Sequence, residues 1–131
     1  MAKWKVSHVD EGATRELIAF FENEAVRDEI KRIIKILASQ RDPRTPSKSA
    51  GLIVDAIEYD APDWFRVKVP RYALRIIFRI LVVRQEQVIE ISPNEVVDET
   101  EECYIDITRI GRHPDVYGKG LRERYRHLRN K

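Results

Sequence analysis

Residues 64–83 read Trp-Phe-Arg-Val-Lys-Val-Pro-Arg-Tyr-Ala-Leu-Arg-Ile-Ile-Phe-Arg-Ile-Leu-Val-Val, and apolar side chains recur at every second position through most of this stretch. Successive side chains of a β-strand point to opposite faces of a sheet, so the pattern predicts two strands, 64–69 and 71–83. One face is apolar and carries Phe65, Val67, Val69, Tyr72, Leu74, Ile76, Phe78, Ile80 and Val82. The opposite face carries Trp64 and the cations Arg66, Lys68, Arg71, Arg75 and Arg79. We therefore expect a sheet with one buried face and one basic face.

Two helices are predicted before these strands. Thr14 is a suitable N-cap for the first helix, and Asn23 marks a break before the second. The second helix has its apolar residues at the spacing of one helical face, namely Ile30, Ile33, Ile34 and Leu37. Two prolines and a glycine in residues 41–51 end it. Residues 4–9 alternate weakly, which predicts a short first strand.

Further strands and a last helix are predicted after residue 83. Gln87–Ile91 and Cys103–Ile110 have strand patterns, and an acidic loop, 92–102, separates them. A basic helix at the end of the chain carries an apolar stripe of Leu121, Tyr125 and Leu128. Residues 53–57 fit either a helical turn or an edge strand. We predict one α+β domain over residues 1–131, with helices packed on one face of an antiparallel sheet.

Composition excludes several classes of protein. The 131 residues are 43% hydrophobic, which is enough for one core and too much for a disordered chain. The longest aliphatic runs are far too short to span a membrane, and the amino terminus lacks a signal-peptide pattern, so we expect a cytoplasmic protein. Cys103 is the only cysteine, so it cannot form an internal disulfide or a cysteine zinc site. The acidic loop lacks the spacing of a calcium loop, and we expect neither metal nor cofactor.

Charge is segregated along the chain although the formal net charge is only +2. Residues 64–84 contain six basic residues and no acid, whereas residues 85–108 contain eight acids and no base. Residues 109–131 contain eight basic residues and two acids. Two interpretations remain open: the basic segments form a surface that attracts polyanions, or they pair with the acidic segment across the sheet.

A cluster of cations on a rigid strand face could bind phosphate groups and stabilise the charge of a phosphoryl-transfer transition state. Arg66, Lys68, Arg71 and Arg75 are the candidates; the alternative is a solvated face without a ligand. His113 is the histidine nearest to this basic context, and an imidazole can exchange a proton near neutral pH. Tyr117 could stack on a base. His113 could equally be a turn residue before Pro114, and Tyr117 a packing residue.

Two segments give the chain a family resemblance: Asp63-Trp-Phe-Arg-Val-Lys-Val-Pro-Arg-Tyr-Ala-Leu-Arg-Ile-Ile-Phe78 and Ile110-Gly-Arg-His-Pro-Asp-Val-Tyr117. With the predicted helical hairpin at 14–40, they resemble the RelE/ParE superfamily of bacterial toxin–antitoxin systems. The shared pattern is a strand with two basic residues, a turn, and a strand that opens with arginine. A final strand ending in glycine, basic residues and Val-Tyr completes it. The likeness covers most of the chain.

The resemblance implies an N-terminal helical hairpin packed on a twisted antiparallel sheet, with a C-terminal helix. It implies a toxin of a type II system that a cognate antitoxin neutralises and that acts on the ribosome and its mRNA. Members of one branch cut mRNA in the ribosomal decoding site, whereas the ParE branch poisons DNA gyrase. A homologue that only binds a partner, or a domain that binds RNA without cutting it, is a further alternative.

The resemblance also implies a site. Carried over by position, the catalytic residues are Arg66, Lys68, Arg75, then Arg112 or His113, and Tyr117. We predict His113 as the catalytic member of that alternative, and Arg71, Arg79 and Arg112 as residues that bind RNA. The implied reaction is metal-independent attack of the RNA 2′-hydroxyl on the adjacent phosphate. Lys68 would assist loss of the hydroxyl proton, Arg66 and Arg75 would hold the phosphate, and His113 would protonate the leaving oxygen. The acidic loop departs from the family pattern, and we expect it either to repel RNA or to replace an antitoxin contact.

Overall fold

A computed structural model describes residues 4–8 and 10–130. Its helices are α1 (Glu11–Phe21), α2 (Glu24–Ser39) and α3 (Lys119–Arg129). Its strands are β1 (Trp4–Ser7), β2 (Val54–Ala56), β3 (Phe65–Val69), β4 (Leu74–Arg84), β5 (Gln87–Glu90) and β6 (Glu102–Arg112). The predicted α+β class is therefore confirmed, and residues 53–57 contain an edge strand rather than a helical turn. The predicted first strand ends at Ser7, and Val9 lies outside the described residues.

The helical hairpin begins earlier than predicted. Asp10, not Thr14, is the N-cap of α1, because its backbone is extended and its carboxylate accepts a hydrogen bond from the Gly12 amide at 3.0 Å. Thr14 lies within the helix, where its hydroxyl donates to the Asp10 carbonyl. Asn23 caps α2 by accepting from the Val26 amide at 3.2 Å. The predicted break at Asn23 is thus the start of the second helix.

The sheet is mixed, so the expected purely antiparallel sheet is wrong. Its strand order is β1-β6-β4-β3-β2, with β5 also paired to β4. β1 runs parallel to β6, and the other pairs are antiparallel. A parallel neighbour needs a long connection, and the chain between β1 and the later strands contains both helices of the hairpin. Periodicity within a strand does not specify the direction of its neighbour.

The helices pack on both faces of the sheet, which corrects the expectation of one covered face. On the first face, α2 buries Val26, Ile30, Ile33 and Leu37 against the apolar side of β3 and β4. On the other face, a smaller cluster joins α3 to the sheet through Trp64, Ile77, Val116, Leu121 and Leu128. Part of the predicted basic face is therefore covered by α3. Among the described residues, no helix combines the length and hydropathy needed to cross a membrane.

Candidate functional site

The strand register brings two of the predicted cations together. Lys68 on β3 lies directly opposite Arg75 on β4, and Arg75 lies opposite Gly111 on β6. Arg75 donates a hydrogen bond from Nη1 to the Leu74 carbonyl at 3.0 Å. Its Nε is buried and has no hydrogen-bond partner in the described part of the chain. In that same part, neither Lys68 nor Arg75 forms an ion pair with a carboxylate. The pair is thus a local concentration of uncompensated positive charge, as an anion site requires.

The turn after β6 folds back onto this end of the sheet. The His113 amide donates to the Ala73 carbonyl at 2.8 Å, and the Tyr117 amide donates to the Pro114 carbonyl at 3.0 Å. Val116 is 1% exposed and packs over Gly111, where a Cβ atom would lie 3.1 Å from the Val116 Cβ. A side chain at position 111 would therefore push against the turn. The glycine allows the turn to lie close to the strand.

This turn places Tyr117 beside Arg66 and His113 beside Tyr117. Arg66 donates from Nη1 to the Tyr117 hydroxyl at 3.2 Å, and its guanidinium lies 5.6 Å from the ring centroid. The His113 ring meets the Tyr117 ring edge to face, with centroids 5.7 Å apart. Arg66 also approaches Asp55 of β2, with Nε 3.7 Å from Oδ2. The structure thus gathers all the predicted catalytic residues at one end of the sheet: Arg66, Lys68 and Arg75 from the strands, and His113 and Tyr117 from the turn.

Arg79 does not belong to this cluster. It is 8% exposed, and its Nε donates to Asp106 Oδ2 at 2.7 Å. Its Nη1 is also 3.5 Å from Glu90 Oε1. Asp106 lies opposite Arg79 in the β4–β6 register, so basic and acidic segments do pair across the sheet at this point. The prediction of Arg79 as an RNA-binding residue is therefore corrected: it is an internal ion-pair residue.

Arg71 and Arg112 lie apart from the catalytic candidates. Arg71 is in the turn of residues 70–73 rather than on β4, because a 3-10 turn at Pro70–Tyr72 interrupts the strand pattern. Its guanidinium lies 5.7 Å from the Tyr72 ring centroid, and Arg112 donates to the Tyr72 carbonyl at 3.2 Å. Both side chains are exposed. Arg112 shares its sheet face with Leu74, which is opposite to the face of Arg75. Arg71 and Arg112 therefore lie near Tyr72, apart from the catalytic candidates.

The acidic loop is held at the far end of the sheet. Arg84 pairs with Glu101 at 2.5 Å and with Glu95 at 2.9 Å. The hydrogen bond from Arg84 keeps the pKa of Glu101 below its usual value. Arg44 donates to the carbonyls of Ser92 and Glu95 at 3.0 and 2.7 Å.

Arg75 and Arg84 lie nine residues apart on β4, which at about 3.4 Å per residue is about 30 Å. That span exceeds the screening length of roughly 8 Å at physiological ionic strength. The structure therefore does not support the expectation that the loop repels RNA at the catalytic cluster.

Sequence reasoning missed an open groove next to the cluster. The groove has a volume of about 650 Å³ and is lined by residues 55–60, Arg66 and Tyr117. Asp60 is fixed in it by the Gly118 amide at 2.9 Å and by Arg122 at 2.8 Å. The hydrogen bond from the Gly118 amide, with a contribution from Arg122, lowers the pKa of Asp60. The one signal in the sequence was the edge strand itself, which sets Asp55 opposite Arg66.

Comparisons of the chain with protein-family models, with curated proteins and with solved structures find no match. Within residues 4–8 and 10–130, no group of three or more histidine, cysteine, aspartate or glutamate side chains is arranged to hold a metal ion.

Proposed function

We propose that this protein is the toxin of a type II toxin–antitoxin system, a RelE-like endoribonuclease that cuts mRNA on the ribosome and so inhibits translation. The observation that carries the proposal is the Lys68–Arg75 pair beside Gly111, together with Tyr117 against Arg66 and His113 against Tyr117 in the turn that follows. Five residues separated by up to about fifty positions in the chain converge there. The helical hairpin against the basic strands is also consistent with a RelE/ParE-like arrangement.

The proposed reaction is an intramolecular phosphoryl transfer within the RNA. The 2′-oxygen attacks the adjacent phosphorus, the bond to the 5′-oxygen breaks, and a 2′,3′-cyclic phosphate and a 5′-hydroxyl remain. The proton of the 2′-hydroxyl passes to water, and the Lys68 ammonium assists its loss by stabilising the negative charge that develops on the 2′-oxygen. Arg66 and Arg75 hold the phosphate oxygens and offset the negative charge that grows on them. His113 donates a proton to the leaving 5′-oxygen.

Tyr117 has a positioning role in this proposal. Its hydroxyl accepts from Arg66, and its ring also contacts His113. It therefore holds the phosphate-binding group and the proton donor at a fixed separation. Its ring lines the groove, where it can also stack on a nucleobase. The proposed partners are mRNA, the ribosome and a cognate antitoxin, and the proposed location is the cytoplasm.

The proposal is tested in a cell-free bacterial translation reaction with purified protein. We expect the wild type to arrest synthesis and to leave new 5′ ends in the message, whereas Arg75→Ala and His113→Ala do neither. Arg126→Ala is the control, because it removes an exposed arginine from α3, away from the cluster. Arrest by all variants equally would show that the assigned residues are wrong. Intact synthesis accompanied by DNA damage in expressing cells would instead indicate a gyrase-directed toxin.

A further inference from the structure

The groove and the catalytic cluster share two residues. Arg66 and Tyr117 line the groove and also belong to the cluster. Lys68 follows Arg66 on the same face of β3, and such neighbours lie about 7 Å apart. A phosphate held by Arg66 and Arg75, beside Lys68, therefore leaves the nucleotide next to it at the mouth of the groove. Because the groove is open to solvent and large, a nucleobase fits inside it.

Charge distinguishes the groove from the cluster. The carboxylates of Asp55, Glu58 and Asp60 line the groove, whereas Lys68 and Arg75 have no carboxylate partner among the described residues. A phosphate is therefore bound more favourably at Lys68 and Arg75 than in the groove, whose three carboxylates outnumber its one arginine, whereas a neutral base can enter the groove. The two regions together would place the RNA backbone on the strands and one base in the groove.

Asp55 is the lining carboxylate best placed to read the base. Its side chain is 47% exposed, and its Oδ2 lies 3.7 Å from Arg66 Nε, an ion pair without a hydrogen bond. An ionised carboxylate only accepts hydrogen bonds and has about four acceptor positions, so contact with Arg66 leaves room for further donors. Asp60, by contrast, is already engaged by the Gly118 amide and Arg122. Glu58 is exposed, and no hydrogen bond or ion pair of the described residues fixes its side chain.

The nucleobases differ in the donors that they can offer to a carboxylate. The Watson–Crick edge of guanine presents N1–H and an N2 amino hydrogen side by side, which match the two carboxylate oxygens. Adenine and cytosine each present one amino donor next to a ring-nitrogen acceptor, and that acceptor is repelled by a carboxylate. Uracil presents one donor between two acceptors. Guanine is therefore the base that forms a bidentate contact with Asp55.

We infer that the groove at the β2 edge is the base subsite beside the scissile phosphate and that Asp55 makes it selective for guanine. The inference rests on the proposed function, since it needs a bound and cleaved RNA strand. Tyr117 contributes the ring against which the base lies. Asp55 is thus a specificity residue rather than a catalytic residue.

The test maps cleavage sites in a translated message in which one nucleotide beside each cut is varied. The wild type is expected to favour guanine at one position. In Asp55→Asn the guanine-to-adenine cleavage ratio should fall at least about fivefold, the lower end for a bidentate base contact. The asparagine amide offers one donor and one acceptor, which suits adenine. Asp28→Asn on α2 is the matched control, because it removes the same charge from an exposed site and should leave the ratio unchanged.

The outcomes separate the inference from the function on which it rests. If the wild type cuts no message, the proposed function fails and the inference with it. If the wild type cuts but its preference is the same in Asp55→Asn, the inference alone is overturned. Asp55→Glu is the second variant, to be used if Asp55→Asn is inactive because it has lost the contact with Arg66. It keeps the charge but moves the carboxylate by one methylene, and undiminished guanine preference in this variant would also overturn the inference.

Discussion

Lys68 and Arg75 lie directly opposite each other on β3 and β4, and no carboxylate of the described residues pairs with either. Like charges at directly opposed positions of an antiparallel pair destabilise a sheet. Arg84, on the same strand as Arg75, is by contrast matched by two glutamates. Positive charge is therefore left uncompensated at one end of β4 and neutralised at the other. Such an arrangement is typical of a site that an anionic ligand completes.

Removing one charge of this pair should stabilise the free protein. We expect Lys68→Gln to raise the free energy of unfolding by about 0.2–1 kcal/mol, because it relieves the repulsion between the two side chains. Urea unfolding at low ionic strength measures the change, and added salt should reduce it. Lys35→Gln, at an exposed position of α2, is the control. A loss of stability in Lys68→Gln would contradict this account of the pair.

Substitution of Arg75 should weaken RNA binding, whereas substitution of Arg79 should not, although both residues follow the same strand alternation. Arg75→Gln should weaken binding and reduce the slope of log affinity against log salt by about 1, as expected for one lost phosphate contact. Arg79 is already paired with Asp106 inside the fold. A titration of binding affinity against salt with a single-stranded RNA makes the comparison. If Arg79→Met lowers the slope as much as Arg75→Gln, the assignment of Arg79 to the interior pair is contradicted.

The Arg79–Asp106 pair itself should matter for stability. Asp106→Asn removes the shorter of the two carboxylate contacts of Arg79 and leaves only Glu90 at 3.5 Å, and losing one partner of a buried pair costs up to about 3–5 kcal/mol. Urea unfolding should therefore show a large loss, whereas Arg79→Met combined with Asp106→Leu should recover much of it. A loss below about 1 kcal/mol in the single variant would show that the pair is not shielded from water.

Gly111 should be required for activity more than for folding. In Gly111→Ala the new methyl group meets Val116 and displaces the turn that carries His113 and Tyr117. We expect a loss of about 1–3 kcal/mol in stability, as for other overpacked sites, and a much larger relative loss of cleavage. Adding Val116→Gly removes the Cβ and Cγ2 atoms that the methyl group would meet and should restore part of the cleavage rate. If the cleavage rate does not recover in the double variant, displacement of the turn is not the cause of the loss of cleavage in Gly111→Ala.

Asp60 should make stability depend on pH in the acid range. The Gly118 amide lowers the pKa of Asp60 in the folded protein below the usual value of 3.8. Its contribution is therefore fully present above that value and is lost as pH falls through the lower folded value. Asp60→Asn should be less stable than wild type at pH 6, and the difference should shrink below about pH 4. Urea unfolding at pH 6 and pH 3 measures this difference in the free energy of unfolding. A difference that grows on acidification would contradict the lowered pKa of Asp60.

The sequence predicted those features that depend on local periodicity. The spacing of Ile30, Ile33 and Leu37 indicated the buried stripe of α2, and alternation around Val67 and Ile76 indicated β3 and β4. Helix and strand periods arise from the backbone, so they can be read without knowing any neighbour. The cation pair of Lys68 and Arg75 was predicted in the same way, as residues on one strand face.

Only the tertiary structure decided which charges remain available. The chain pattern treats Arg75 and Arg79 alike, yet the β6 register sets Gly111 opposite the first and Asp106 opposite the second. The tertiary structure also decided the parallel direction of β1, the placement of α3 on the basic face, and the contact of Tyr117 with Arg66. These features depend on residues that are distant in the chain. Side-chain periodicity specifies a face, whereas strand order and register specify what lies opposite it, because pairing is settled by packing of the whole sheet.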